Sequence, residues 1–344
     1  MIGFGIIGCG MIARFHAAAL AEIPNARLLA LQSRSKANAE KVSTQAQYYP
    51  TVEEFLKHPG LDVVIICTPS GNHLEPTILA AQAGKHVVVE KPLEITLQRC
   101  DQLIEACQQA GVKLCTIFPS RFADANVVLK QAVDQGRFGR LTLGETTVKW
   151  WRTQQYYDEG GWKGTQALDG GGALMNQAIH NVDLLQWLMG PVARISAMTA
   201  TLAHERIEVE DTAVACLQFR SGALGVIQAT TSVWPGLPKT IGIHGNRGSA
   251  VVEQEDLLRW EFDPALPDDE AIRQQFAQKI GASGGSSNPA AISHEYHRRQ
   301  LADFVDAIQN NQSPLVDGRE GRKAVQIILG IYESARTGRT IQLN

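Results

Sequence analysis

The chain contains no apolar run near the ~18 residues that a membrane span requires, so no membrane partner is expected. It has no block of like charge and a formal net charge of -3, which argues against nucleic acid or an anionic membrane as a partner. No C-x-x-C pair occurs among the six cysteines, Cys9, Cys67, Cys100, Cys107, Cys115 and Cys216. They mostly sit inside apolar segments and read as reduced, buried thiols of a cytoplasmic protein rather than a zinc site or a disulfide framework, so no metal is expected. The start, Met1-Ile2-Gly3-Phe4, lacks a basic region and a cleavable apolar leader, so no secretory signal is expected. No internal repeat is visible. What is present is 344 residues with 44% hydrophobic content, enough for about two domains with separate cores.

Residues 2–8 form an apolar strand that runs into Gly8-Cys9-Gly10-Met11-Ile12-Ala13. In this G-x-G-x-x-A pattern the first glycine permits a tight turn and the second lets a pyrophosphate approach the backbone. The small third residue lets helix and strand pack closely. A helix to about Glu22 follows, with its N-terminal N–H groups directed at the phosphates. The pattern alone is weak, but a regular β/α alternation strengthens it. Strands are expected at Arg27–Gln32, Asp62–Cys67, His86–Val89 and Val112–Phe118. Helices are expected near Lys36–Gln45, from Asn72 to Ala83 before Gly84, and up to Ala110 before Gly111. Near-continuous Val/Ile runs between helices imply a parallel sheet buried on both faces. The expected fold class is α/β, with a Rossmann dinucleotide-binding domain over residues 1–120.

The residue ending the second strand bears on cofactor choice. An acid there bonds the ribose 2′-hydroxyl of NAD. Here the segment reads Gln32-Ser33-Arg34-Ser35-Lys36, with no acid to repel a 2′-phosphate. Arg34 can fork onto a phosphate and Ser33 can donate to it, so NADP(H) is favoured over NAD(H). The alternative for Arg34 is a solvated loop charge.

After a helix near Ala123–Asp134, long alternating strands replace the β/α rhythm: Leu141–Trp151, Val192–Leu202, Thr212–Arg220, Ala223–Trp234, Thr240–His244, Ala250–Glu253 and Leu258–Phe262. They read as a C-terminal α+β domain, residues 121–344, built on a large, mostly antiparallel open sheet. One long helix, from Gly172 to Met189, is inserted. Residues 264–289 are polar and rich in Gly and Ser, and read as a loop or as a lid over the site. Two helices, Ile292–Gln309 and Gly321–Thr337, and a strand at Thr340–Leu343 close the chain.

Two stretches carry chemistry. Val87-Val88-Val89-Glu90-Lys91-Pro92 is a buried strand that ends in a charged pair and a proline. A lysine at the carboxyl end of a parallel strand lies where open α/β sheets bind ligands; the bland alternative is a solvated strand end. Asp169-Gly170-Gly171-Gly172 opens a helix on which Asn176, His180 and Asp183 fall at i, i+4 and i+7. One face then carries an amide, an imidazole and a carboxylate, which suits general-base work. The opposite face (Leu174, Ile179, Val182, Leu185, Leu188) is apolar. For His180 the alternative is a structurally satisfied histidine. The aromatic stretch Trp150-Trp151-Arg152, Tyr156-Tyr157, Trp162 either stacks on a sugar face or belongs to a core or subunit interface.

These residues resemble the glucose–fructose oxidoreductase, inositol dehydrogenase and MocA family over essentially the whole chain, through the G-x-G-x-x-A, Glu90-Lys91-Pro92 and the helix-borne His180. The resemblance implies a pyridine-nucleotide dehydrogenase acting on a secondary hydroxyl of a sugar, polyol or sugar derivative. It implies that Lys91 bonds the reacting hydroxyl, that Lys91–Pro92 is often cis, and that His180 is the acid/base. His73, after Thr68-Pro69, and Arg121 fall where the family lines its cofactor and substrate cleft. A homodimer or homotetramer is implied as well. Two departures stand out: Asn176 occupies a position where the inositol-dehydrogenase type has an aspartate, and Ser33 one where NAD-using members have an acid. The run Arg152, Tyr156-Tyr157, Gly161-Trp162, Asn176-Gln177-Ala178-Ile179-His180 is similar to the sugar-nucleotide 3-dehydrogenase branch.

The expected function is hydride transfer between nicotinamide and a sugar-like carbinol. Lys91, His180 and Asn176 are the catalytic set. Cofactor contacts are expected from Gly8, Gly10, Met11, Ile12, Ser33, Arg34, Thr68, Pro69, His73, Glu90 and Lys91. Substrate contacts are expected from Lys91, Arg121, Arg152, Tyr156, Trp162, Asn176 and His180. Rival expectations on the same fold are a biliverdin-reductase-like or dihydrodiol-dehydrogenase-like reductase, and a non-catalytic nucleotide-sensing regulator like the yeast galactose-pathway repressor.

Overall fold

The computed structural model describes residues 1–159, 161–277 and 293–343, and they form two compact units. The first contains a six-stranded sheet. Its elements are β1 (Ile2–Ile7), α1 (Met11–Ala21), β2 (Ala26–Gln32), α2 (Lys36–Glu40), β3 (Gln47–Tyr49), α3 (Val52–Phe55), β4 (Val63–Ile66), α4 (Leu74–Gln82), β5 (His86–Val89), α5 (Leu97–Gln109) and β6 (Leu114–Thr116). The strand order is β3-β2-β1-β4-β5-β6, and every pair is parallel. This is the Rossmann arrangement that the β/α rhythm implied. The order reverses between β1 and β4, so the turn after β1 and the turn after β4 open at the switch point where such sheets bind ligands.

Local chemistry explains the elements. Val63–Ile66 and Val87–Val89 are fully buried, as strands covered on both faces must be. Thr51 and Thr96 cap α3 and α5 by accepting the amide N–H of Glu54 and Arg99. Gly84 and Gly111 follow α4 and α5 with φ of +70° and +67°, the left-handed conformation in which glycine ends helices without a Cβ penalty. Strand β3 and helix α3 were not expected. Each has four residues or fewer, too short for a periodic signal, and both depend on their neighbours.

The second unit begins with α6 (Asp124–Asp134), β7 (Leu141–Lys149) and α7 (Gln154–Asp158). A π-helical segment, Ala173–Ala178, then leads into α8 (Ile179–Met189). The strands β8 (Val192–Ala200), β9 (Thr212–Phe219), β10 (Leu224–Thr230), β11 (Thr240–Gly245), β12 (Gly248–Glu253) and β13 (Asp256–Phe262) follow, then α9 (Asp269–Gln275). Beyond α10 (Glu295–Gln309) and α11 (Gly318–Thr337) comes β14 (Ile341–Gln342). The sheet order is β13-β12-β11-β7-β10-β9-β8-β14. Only β7 and β10 pair in parallel; the other pairs are antiparallel. The large, mostly antiparallel sheet is thus as expected. One face packs on α8, where Leu185 and Met189 lie over Gly144. The opposite face exposes Leu143, Met198, Val214, Cys216 and Leu224, so Cys216 is not the buried thiol expected of it.

Three expectations are corrected. The units are not two continuous halves: residues 293–325 return to the first unit, together with 167–170. The reason is apolar: Leu301, Phe304 and Val305 of α10 join the core of Phe4, Leu20, Leu31 and Ile65. The stretch read as a loop after Pro264 contains α9. That helix has no apolar stripe; its anchor is the buried carboxylate of Asp269, which accepts from both Arg137 terminal nitrogens at 2.6 and 2.8 Å and from the Trp260 indole at 2.8 Å. The remainder of that stretch, with the alternative of a lid, lies outside the described residues. Finally, the inserted helix is not one regular α-helix, because its first turns are π-helical.

The glycines before this helix meet protein, not open space. A Cβ on Gly172 would lie 1.9 Å from the Glu210 carbonyl oxygen, and one on Gly171 would lie 2.1 Å from the Tyr332 hydroxyl. Gly172→Ala is therefore expected to lower stability by about 3 kcal/mol, the upper end for overpacking. Urea unfolding monitored by circular dichroism would check this; an unmoved midpoint would mean that the helix start and residue 210 separate freely.

Candidate active site

In the first unit the glycine turn is built as a dinucleotide cradle. Gly8 has φ +93°, and a Cβ there would lie 2.7 Å from the Cys67 carbonyl oxygen. Gly10 caps α1 in an extended conformation, and a Cβ there would meet nothing within 4 Å. That open side, at the positive end of an 11-residue helix, suits a pyrophosphate. Met11 is exposed, Ile12 half-buried and Ala13 buried against the sheet. At the end of β2, Ser33 accepts the Ser35 amide on its hydroxyl at 3.2 Å and the Tyr48 hydroxyl on its carbonyl at 3.1 Å. Arg34 is exposed, and no ion pair holds it among the described residues.

The turn after β4 and the end of β5 are tied by one histidine. The His73 ring lies between carbonyl oxygens, with Nδ1 at 2.9 Å from that of Pro92 and Nε2 at 3.0 Å from that of Thr68. The Thr68 hydroxyl donates to the Asn72 carbonyl at 2.9 Å, while Pro69 precedes the short turn of Ser70–Asn72. His73, 1% exposed, is therefore a strut of the Glu-Lys-Pro turn, and both of its ring nitrogens face protein. Lys91–Pro92 is cis.

Glu90 is the group whose setting was least foreseen. Its Oε1 lies 2.7 Å from His16 Nε2 and 4.0 Å from His297 Nε2; its Oε2 accepts the Lys91 amide at 3.1 Å. The His16 and His297 rings meet edge to face at 5.4 Å. Burial pushes the Glu90 carboxyl up. The His16 hydrogen bond and the attraction of His16, His297 and Lys91 outweigh that, and the group stays below its ordinary value. Burial, followed by His16, pulls His297 down to about 4. Neither histidine was singled out from sequence. A signal existed for His16, which with Arg14 is one of two polar residues in an otherwise apolar helix after the glycines; His297 carried none.

In the second unit Glu210 anchors the helix that bears His180. It accepts the Gly172 and Leu174 amides at 2.9 and 2.8 Å and the Tyr332 hydroxyl at 3.0 Å. Burial raises its pKa against those hydrogen bonds. Leu174, Ile179, Val182, Leu185 and Leu188 are buried, as their spacing implied. Asp183, three residues past His180 within α8, is fully buried. Both of its oxygens accept from Arg121, Nε at 2.8 Å and Nη2 at 2.6 Å, and the pair is fully buried beneath Trp187. The π-helical turns lie before His180, so they alter the angular offset of Asn176 from His180 and leave that of Asp183 unchanged. Arg121, expected to touch substrate, thus forms a buried ion pair with the helix.

Arg152, Tyr156 and Asn176 are brought together by a residue that the sequence reading left out of the site. Gln177 accepts from Arg152 Nη2 at 2.9 Å on its side-chain oxygen. Its amide nitrogen donates to the Tyr156 hydroxyl at 2.9 Å and to Asn176 Oδ1 at 2.7 Å. The Arg152 guanidinium and the Lys163 ammonium both lie against the Tyr156 ring, at 5.6 and 3.8 Å. Trp162 is half-buried and contributes its carbonyl, which accepts from Thr165. Lys239 was also missed; it donates to the Ser120 hydroxyl at 3.3 Å, and burial lowers its pKa. Lys91 belongs to the first unit, His180 and Asn176 to the second.

The geometry has parallels among known proteins. Residues 2–118 match a family model described as an oxidoreductase family with an NAD-binding Rossmann fold, and residues 127–251 match the GFO/IDH/MocA C-terminal domain. The crystal structure of the WlbA dehydrogenase from Bordetella pertussis in complex with NADH and UDP-GlcNAcA superposes with a TM-score of 0.88 at 35% identity, covering 100% of this chain and 99% of that one. Aldose-aldose oxidoreductase from Caulobacter crescentus superposes with a TM-score of 0.81 at 27% identity, covering 99% of each chain. Myo-inositol 2-dehydrogenase of Thermotoga maritima is 29% identical over 350 residues, 98% of this chain and 98% of that protein. With both domains matched and a structural relative above 30% identity along its whole length, the chain belongs to the GFO/IDH/MocA family of nicotinamide-dependent oxidoreductases.

Proposed function

We propose that the chain oxidises, reversibly, a secondary hydroxyl of a nucleotide-linked sugar, with Lys91 and His180 as the catalytic pair and NADP(H) as the preferred cofactor. The observation that carries this is Lys91 at the carboxyl end of β5, the strand beside the switch-point strand β4 of a sheet with a dinucleotide cradle. The bound nicotinamide supplies the hydride acceptor. Lys91 holds the reacting oxygen and stabilises its developing negative charge. His180 takes the hydroxyl proton, a contribution typically worth ~10²–10⁴ in rate. Asn176, itself bonded to Gln177, orients the imidazole or a neighbouring hydroxyl. The reading requires both residues to reach one carbinol.

The substrate class draws on the UDP-GlcNAcA held by the Bordetella pertussis relative. It fits the Arg152–Gln177–Tyr156 cluster with Lys163, which offers two cations and an aromatic face to an anionic sugar. Exposed Arg34 and the absence of an acid after β2 favour a 2′-phosphate. The exposed apolar rows Leu143–Leu224 and Met198–Val214 on the open sheet face fit contact between copies of the chain.

Turnover of UDP-GlcNAcA, inositols and free aldoses, followed by nicotinamide absorbance, should be greatest for UDP-GlcNAcA. Lys91→Met and His180→Ala should each lower kcat by at least ~10²-fold; turnover within a few-fold of the parent in both variants would sink the assignment. NADP⁺ should bind more tightly than NAD⁺, and Arg34→Ala should shrink the difference by about tenfold, as loss of a charge-assisted contact does. Tighter binding of NAD⁺ by the parent would reverse the cofactor assignment.

A further inference from the structure

We propose that His16 and Glu90 form a buried positioning relay for Lys91: the imidazole fixes the Glu90 carboxylate, which in turn holds the Lys91 amide and sets negative charge beside the lysine. The inference rests on the reading of Lys91 as the residue that meets the carbinol.

The geometry is specific. His16 is 0% and Glu90 6% exposed, so neither serves as a solvated surface charge. The two carboxylate oxygens have separate duties, Oε1 towards His16 Nε2 at 2.7 Å and Oε2 towards the Lys91 N–H at 3.1 Å. Only an Nε2–H imidazole can donate to Oε1, so Glu90 selects that tautomer. The Nδ1 atoms of His16 and His297 are buried without a hydrogen-bond partner among the described residues. Each ring therefore turns its one useful nitrogen towards Glu90. A buried ion that could be replaced by packed apolar side chains adds little net stability; one whose second oxygen grips the backbone of a reacting lysine has a local purpose.

The groups that face Glu90 come from several elements. His16 lies on α1, His297 on α10, Cys67 after β4, Cys115 on β6 and His73 in the turn before α4, with Lys91 adjacent in the chain. Burial holds the Cys67 and Cys115 thiols protonated, and His297, with a pKa of about 4, is neutral near pH 7. Glu90 then contributes negative charge beside Lys91. By reciprocity with the effect of Lys91 on Glu90, it favours the charged lysine.

The experiment uses the full chain with His16→Leu, His16→Gln, Glu90→Gln and Lys91→Met. Hydrogen exchange at the Lys91 amide needs no substrate; it should quicken about tenfold in His16→Leu, the loss of roughly one hydrogen bond, and slow again in His16→Gln, whose amide can still donate. With UDP-GlcNAcA, kcat should fall by about 10²-fold in His16→Leu, the cost of a misplaced reacting group, while KM for the dinucleotide stays within a few-fold. Glu90→Gln is near-isosteric and covers the case in which His16→Leu does not fold: the alkaline limb of its kcat/KM profile should move to lower pH. Exchange and kcat within twofold of the parent in His16→Leu, or an unmoved limb in Glu90→Gln, would overturn the relay. Full turnover by Lys91→Met would instead overturn the underlying reading of the site, whatever the exchange data show.

Discussion

A carboxylate removed from water at the end of a parallel strand must be satisfied by the protein, and Glu90 meets that demand with groups from distant parts of the chain. His16 comes from the first helix, His297 from α10 and the Lys91 amide from the next residue. Segments separated by 74 residues on one side, and by about 200 on the other, are thereby committed to one point in the first unit. The apolar contribution acts in the same direction, since Leu301, Phe304 and Val305 complete the core beneath that point. The return of α10 to the dinucleotide-binding unit is therefore both a packing event and an electrostatic one.

The second unit meets a similar constraint with different parts. The helix that bears His180 starts where Glu210 accepts two amides, and a side chain on Gly171 or Gly172 would strike Tyr332 or residue 210. Further along, the buried Arg121–Asp183 pair ties the helix to the segment that opens the unit. Breaking such a pair leaves an uncompensated charge in the interior, so the helix is held at its start and again at Asp183. Between these anchors the chain presents His180 and Asn176, with Gln177 tying Asn176 to Arg152 and Tyr156.

Much of this was legible in the order of residues. The Rossmann sheet follows from buried Val/Ile runs spaced by helices, and the cradle from Gly8, Gly10 and Ala13, because period and glycine placement are local properties. Alternation likewise announced the antiparallel sheet, and Glu90-Lys91-Pro92 stood out by its position after β5. The short β3 and α3, the polar helix α9 and the π-helical turns gave no comparable signal; each is stabilised by contacts made elsewhere in the chain.

By itself, then, the sequence determined which segments are strands and helices, where a dinucleotide phosphate can approach, and which motif residues are candidates for chemistry. Tertiary structure alone decided the partners. It paired Asp183 with Arg121, turned His73 into a strut between two carbonyls, and set His16 and His297 against Glu90. The physical reason is the same in each case. Periodicity tells which side of an element is buried, but a buried polar group takes its partner from whatever the folded chain brings within about 3 Å, and that distance is set by residues far away in sequence.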